Sequence, residues 1–206
     1  MSIQHKERPI LFTGAMVRAL LDGSKTQTRR VVKLPHENPL GEWEPATFGG
    51  EDGGRTAAGE TIPEQGGIWH TRTGESLACP YGQPGDRLWV RETWAPHPDF
   101  IPASHYAVYR ADPECEHDVD RWRPSIHMPR WASRIVLEIT GVRVERLQDI
   151  GTEEIEAEGV VTSDADIMQH GCRARVLDWI RLWESTGGSW DGNPWVWVIE
   201  FKRVAP

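Results

Sequence analysis

Apolar positions along this chain come in short runs separated by turn residues. Arg8 to Phe12 reads as a short buried strand. Met16, Val17, Leu20 and Leu21 then fall on one stripe of an amphipathic helix. Thr13 suits its N-cap and Gly23 its left-handed stop. Lys25 stands where the chain leaves that turn, and Thr26 to Val32 has the β-branched content of a strand. Arg87 to Trp94 alternates, with Leu88, Val90 and Glu92 on one face and Trp89, Arg91 and Thr93 on the other. A short strand is predicted around Tyr106 to Tyr109. A long one runs from Ser133 to Arg146, with a break at Gly141. Thr152 caps a short helix that stops at Gly159, and Glu153 and Glu154 suit its dipole. Asp164 to Glu184 reads as one longer helix that buries Val176, Leu177, Ile180 and Trp183. Trp195 to Val204 closes the chain as a strand with Trp195, Trp197, Ile199 and Phe201 on one face.

Roughly five or six short strands and about three helices, with no βαβ rhythm and no repeat, predict a β-rich α+β fold. The expected form is a small, mostly antiparallel β-barrel with the helices packed outside. The chain reads as a single domain over 1–206, with insertions at about 34–75 and 99–130. The first insertion has few aliphatics and several Gly-Gly pairs, and only Trp43, Phe48 and Trp69 serve as anchors. It is predicted as a long, partly mobile loop. The second holds the acidic stretch Asp112 to Asp120 and the proline-bounded connection Trp122 to Trp131.

Composition changes this picture in three ways. Hydrophobic residues make up 38% of 206, which is low for a compact chain, but 11 tryptophans restore apolar area. The net charge of -8 argues against binding duplex nucleic acid by bulk charge. The charge is uneven, however. Met1 to Lys33 carries seven basic residues against two acidic, and Leu34 to Gly66 carries one basic against seven acidic. A local site for an anionic ligand is compatible with that distribution. Three cysteines make no disulfide framework, and neither a signal-like start nor a membrane-length apolar run is present. A cytoplasmic protein is expected, bacterial or in a phage-infected cell, with no membrane contact.

Gly23-Ser24-Lys25-Thr26-Gln27-Thr28-Arg29 resembles the Gly-x-Lys-x-x-x-Arg signature of the ASCH domain, a branch of the PUA-like superfamily. Gln27 stands where that family usually has glutamate. The resemblance continues in order through Gly85-Asp86-Arg87-Leu88, the strand around Ile139 to Leu147, Glu156-Ala157-Glu158-Gly159 and Val198-Ile199-Glu200-Phe201. The phrases Leu88 to Trp94 and His127 to Arg134 are similar to a phage and prophage subgroup. Within the family, the stretch is similar to bacterial N(4)-acetylcytidine amidohydrolase, matched here by Gly23, Lys25, Thr26, Thr28 and Arg29 as basic group. By that likeness the catalytic lysine, threonine and glutamate are Lys25, Thr28 and Glu158.

Amide hydrolysis needs an activated nucleophile, a proton acceptor and donors for the oxyanion. Thr28 can supply the oxygen. Lys25 can take its proton if its pKa falls below the ordinary value of about 10.4 through burial or neighbouring cations. Glu158 can carry protons or orient Lys25. Thr26, Arg29 and Arg30 join the site as ligand-binding residues. In a regular strand Lys25 and Thr28 point to opposite faces. They converge only if Lys25 is still in the turn or the strand is bulged.

Glu92 is either a carboxylate at the mouth of the site or the partner of an arginine such as Arg134. Trp94, Trp131 and Tyr81 can form a stacking platform for a base, and Arg121, Arg123 and Arg130 can reach phosphates. Cys79, Cys115, His117 and His127 lack a recurrent zinc spacing, so no metal and no cofactor is expected. Three functions remain open: a hydrolase of an acylated, cytidine-type nucleoside or base; a non-catalytic module for single-stranded RNA or a modified nucleobase; and a ribonuclease.

Overall fold

The computed structural model describes residues 6–50, 59, 61, 64–97, 106–112 and 119–205. Among these are ten strands and four helices. The main sheet has five strands: β1 (Glu7–Leu11), β2 (Gln27–Val31), β6 (Arg87–Arg91), β9 (Val136–Arg146) and β10 (Trp195–Val204). Their order is β1-β6-β9-β10-β2.

The expected barrel is not formed. The sheet is open, and β1 and β2 are its two edges. It is also mixed, because β1 runs parallel to β6 while the other pairings are antiparallel. Side chains cross the gap where a ladder would be needed. Arg30 Nη2 donates to the Leu11 carbonyl at 2.7 Å, and Phe12 meets Phe201 edge-on. Helix α1 (Gly14–Asp22) links the two edge strands and buries Val17 and Leu20 in the core beside them. A helix that brings its own apolar stripe covers what closure would have covered.

β10 shows why the core is two-sided. Trp197, Ile199 and Phe201 point into one cluster with Ile10, Phe12, Leu88, Val90, Leu137 and Ile139. Val196 and Val198 point into the other, with Leu147, Ile155, Trp179 and Trp183. Alternate residues of a strand face opposite ways, so a strand apolar at nearly every position must be central. The predicted break in β9 is a bulge. Glu200 pairs Gly141 but Phe201 pairs Ile139, leaving Thr140 unpaired. The extra residue shifts the parity, so Val142 and Val144 share a face with Ile139 and Leu137.

Helices α2 (Thr152–Ala157), α3 (Asp164–His170) and α4 (Cys172–Ser185) follow β9. The single helix expected over Asp164 to Glu184 is two, because Gly171 adopts φ 59 and ψ -147, which no helix accommodates. Trp179 is buried in α4, while Ile180 is only partly buried. Gly151 rather than Thr152 holds the cap position of α2, with its N–H bound by the Glu154 carboxylate at 2.9 Å.

The first predicted insertion also differs. It contributes β3 (Trp43–Phe48) and β4 (Gln65–His70), which join β5 (Ser76–Ala78) in a second, antiparallel sheet. Trp43 and Ile68 from this sheet enter the first cluster, so it is part of the core. A two-stranded ribbon of β7 (Trp94–Pro96) and β8 (Ala107–Tyr109) completes the fold. No helix among the described residues is long and apolar enough to cross a membrane.

Candidate functional site

The chain between α1 and β2 is fixed from three sides. α1 ends at the left-handed Gly23, with φ 85. Lys25 N–H then donates to the Ala19 carbonyl at 2.9 Å, and Thr26 N–H to Ala157 at 2.8 Å. Phe201 N–H donates to the Thr26 carbonyl at 2.9 Å. Lys25 thus lies outside β2, in a separate antiparallel bridge with Glu158 at the end of α2. Gly159 makes that approach possible. Its φ is 80, and a Cβ there would come 2.8 Å from Ala19 Cβ and 3.0 Å from Lys25 Cβ.

Lys25 Nζ donates to Glu158 Oε2 at 2.8 Å and to the Glu158 carbonyl at 2.7 Å. The lysine side chain is 0% exposed and that of Glu158 2%. Burial lowers the Lys25 pKa; the attraction of Glu158 opposes this, and the cations Arg30 and Arg29 add to the lowering. Glu158 Oε1 accepts from Arg29 Nη1 at 3.2 Å. One carboxylate thus reaches both Lys25, in the turn before β2, and Arg29 within the strand.

Register settles those faces. Arg29 pairs with Val198 and points into the second cluster, where its guanidinium lies 6.0 Å from the centre of a Trp179 ring. There it also binds Glu154 Oε2 at 3.0 Å and Glu145. Arg143 extends the network to Glu145, Glu154 and Glu200. Burial raises the Glu154 pKa, but the Gly151 N–H and the charges of Arg29 and Arg143 outweigh it and hold the carboxyl below its usual range. Thr28 and Arg30 pair with Ile199 and Trp197 and face the first cluster. Lys25 Nζ lies 5.6 Å and Arg30 Cζ 5.3 Å from the centre of the Phe12 ring, which belongs to that cluster. The bend at Lys25 therefore brings its amine within 5.6 Å of the centre of a ring in the cluster that Thr28 faces.

Other predicted residues fall elsewhere. The Thr26 side chain is exposed, and only its backbone takes part. Glu92 is buried and binds Arg134 through both oxygens, at 2.9 and 3.0 Å. Arg134 also pairs with Asp112 at 2.6 Å and lies 3.9 Å from the centre of the Tyr109 ring. Burial raises the Glu92 pKa against the pull of Arg134. Trp94 is 2% exposed and belongs to a third cluster with Met128 and Ala132, while Trp131, 45% exposed, meets it edge-on at 5.5 Å. Tyr81 packs on the first cluster instead, so the three aromatics form no common platform.

Two clefts lie near these groups. One of about 500 Å³ is lined by residues that include Val31, Leu77, Pro80, Tyr81 and Trp197, beside β2. The other, about 620 Å³, is lined by residues that include His97, Asp120, Arg121, Arg123 and His127. Cys115 and His117 of the considered zinc set lie outside the described residues. Cys79 is buried, and burial pushes its thiol up to about 11. Among the described residues no group of three or more His, Cys, Asp or Glu side chains is placed to hold a metal.

Sequence reasoning missed Glu145, Arg143 and the pairing role of Glu154. Arg143 and Glu145 are two apart on β9, which puts both on one face, and that face is polar where a core strand should be apolar. That is the signal that marks them. No family model, no curated protein and no solved structure matches the chain.

Proposed function

We propose that this chain hydrolyses the amide of an acylated nucleoside or base of the cytidine type, with Lys25, Thr28 and Glu158 at the reacting centre. The observation that carries the reading is the enclosed Lys25–Glu158 pair at 2.8 Å, formed by residues 133 apart in sequence. The resemblance of Gly23 to Arg29 to the ASCH domain belongs to the same proposal, as does action in a reducing cytoplasm.

In this mechanism neutral Lys25 takes the proton of the Thr28 hydroxyl, whose oxygen adds to the acyl carbon. The C–N bond breaks, and the amine leaves with the proton returned by Lys25. Water then cleaves the ester on Thr28, releasing the acid. The net change is amide plus water to carboxylic acid plus amine. Burial of Lys25 favours its neutral form, and Glu158 is the group that receives or returns its proton.

One observation favours a second reading, a non-catalytic module for RNA or a modified nucleobase. Both side-chain bonds of the Lys25 amine go to Glu158, and the amine is fully enclosed. A panel of N-acylated nucleosides separates the two. Wild type is expected to release free acid, with a rate that rises with pH as Lys25 loses its proton below 10.5. Thr28→Val is expected to fold and to lose about 10³-fold or more in kcat. Binding without turnover by wild type would establish the module instead.

A further inference from the structure

The two arginines that follow Thr28 are adjacent in sequence and opposite in circumstance. Arg29 spends its guanidinium on Glu145, Glu154 and Glu158. Arg30 makes no ion pair among the described residues. One bond, from Nη2 to the Leu11 carbonyl at 2.7 Å, and the face of Phe12 hold its fork in place. Its Nε is buried and has no hydrogen-bond partner among the described residues. An enclosed donor left unbound is costly, and a ligand oxygen at Arg30 Nε would remove that cost.

Arg30 faces the side of the sheet that carries the cleft residue Trp197, and it shares the Phe12 ring with the Lys25 amine. Burial lowers the Arg30 pKa, and the charges of Tyr81 and Glu158 oppose that. Tyr81 lines the cleft of about 500 Å³, together with Trp197, the residue directly across from Arg30 in the ladder. Leu77 and Pro80 make its wall apolar. Thr28 faces the same side of the sheet as Arg30, and the Lys25 amine lies against the same Phe12 ring as Arg30.

We propose that Arg30, and not Arg29, is the substrate-binding arginine: its unbound N–H edge holds the acyl carbonyl oxygen of an N-acylated nucleobase whose body rests in the apolar cleft at Tyr81. This rests on the hydrolase reading above and names how that site takes its substrate. When Thr28 adds to the acyl carbon, the carbonyl oxygen gains negative charge. A fixed guanidinium edge stabilises that charge more than the neutral ground state.

The test compares wild type with Arg30→Met, Arg30→Lys and Arg29→Met, using N-acetylcytidine as the probe and reading kcat, KM, thermal melting and quenching of tryptophan fluorescence. Arg30→Met is expected to melt at or above the wild-type temperature, since it removes a half-buried cation with no ion pair among the described residues. Its kcat is expected to fall roughly 10²- to 10³-fold with KM changed far less, and Arg30→Lys to recover part of the loss. Arg29→Met is expected to melt lower, because it strands three carboxylates. If wild type turns the probe over and Arg30→Met stays within about twofold in kcat, Arg30 is not the oxyanion holder and the hydrolase reading survives. If wild type shows no turnover, the hydrolase reading falls, and quenching by the probe decides for Arg30. Quenching lost in Arg30→Met supports the assignment; quenching unchanged, or absent in wild type, overturns it. Arg30→Lys carries the comparison if Arg30→Met does not fold.

Discussion

Two buried carboxylates in this protein meet basic groups in different ways. Glu158 binds Lys25 and Arg29, and Arg30, which has no ion pair among the described residues, lies close enough to feel its charge. Glu92 grips one guanidinium through both oxygens, and Asp112 binds the same Arg134 from the solvent side. In the first cluster burial and neighbouring cations loosen a proton from Lys25. In the second the two carboxylates outweigh burial and hold Arg134 charged more firmly than a free arginine. Where burial outweighs a single carboxylate the lysine pKa falls, whereas where two carboxylates outweigh burial the cation is held charged. Buried charge alone therefore does not set a proton's hold; the balance of burial against paired charge does.

The largest expected effect compares removal of the two carboxylates. Glu158→Ala leaves Lys25 and Arg29 buried with one partner fewer each, and should cost about 3–5 kcal/mol. Glu92→Ala should cost about 2 kcal/mol, because Arg134 is 25% exposed and keeps Asp112. Urea unfolding of both variants checks this, and equal costs would erase the distinction. A smaller effect belongs to Gly159, which lets the end of α2 approach Lys25. Gly159→Ala should destabilise by about 1–2 kcal/mol from the left-handed backbone alone, and the added Cβ would crowd Ala19 and Lys25. A loss below a few tenths in denaturation would mean the approach is not tight.

The smallest effect is in pH dependence, and its sign differs between the clusters. Glu154 has a folded pKa below 4.5, so its contribution is present above that value and lost as pH falls through the lowered pKa. Glu92 has a folded pKa above 4.5, so its contribution is fully present below 4.5 and lost as pH rises through the raised pKa. Glu154→Gln should flatten the acid limb of the stability curve, and Glu92→Gln should remove a decline above pH 4.5. Melting temperatures across the acid range, with both variants shifting the curve the same way, would contradict the assignment.

Much of the secondary structure was legible because it is a matter of local pattern. The apolar, β-branched and aromatic run of Trp195 to Phe201 specifies a strand, and Thr13 and Gly23 bracket α1. Lys25, Thr28 and Glu158 were singled out through resemblance. Their neighbours Glu145 and Arg143 were not, since nothing local says which face of β9 meets β2. The barrel was an error of a related kind. Closure is decided by whether the two edge strands find each other, and here Arg30, Phe12 and α1 fill that space. The Gly-rich insertion misled because Trp43 and Ile68 bury against distant strands, a gain that composition in a window does not record.

The sequence by itself determined where the chain turns, which stretches repeat with period two or near 3.6, and that a lysine, a threonine and two arginines leave one helix together. Only the tertiary structure decided that Glu158 meets Lys25, that Arg29 is consumed by glutamates and that Arg30 is not. Adjacent side chains on a strand face opposite sides, and what waits on each side is supplied by β9, α2 and the cleft at Tyr81, all far away in sequence.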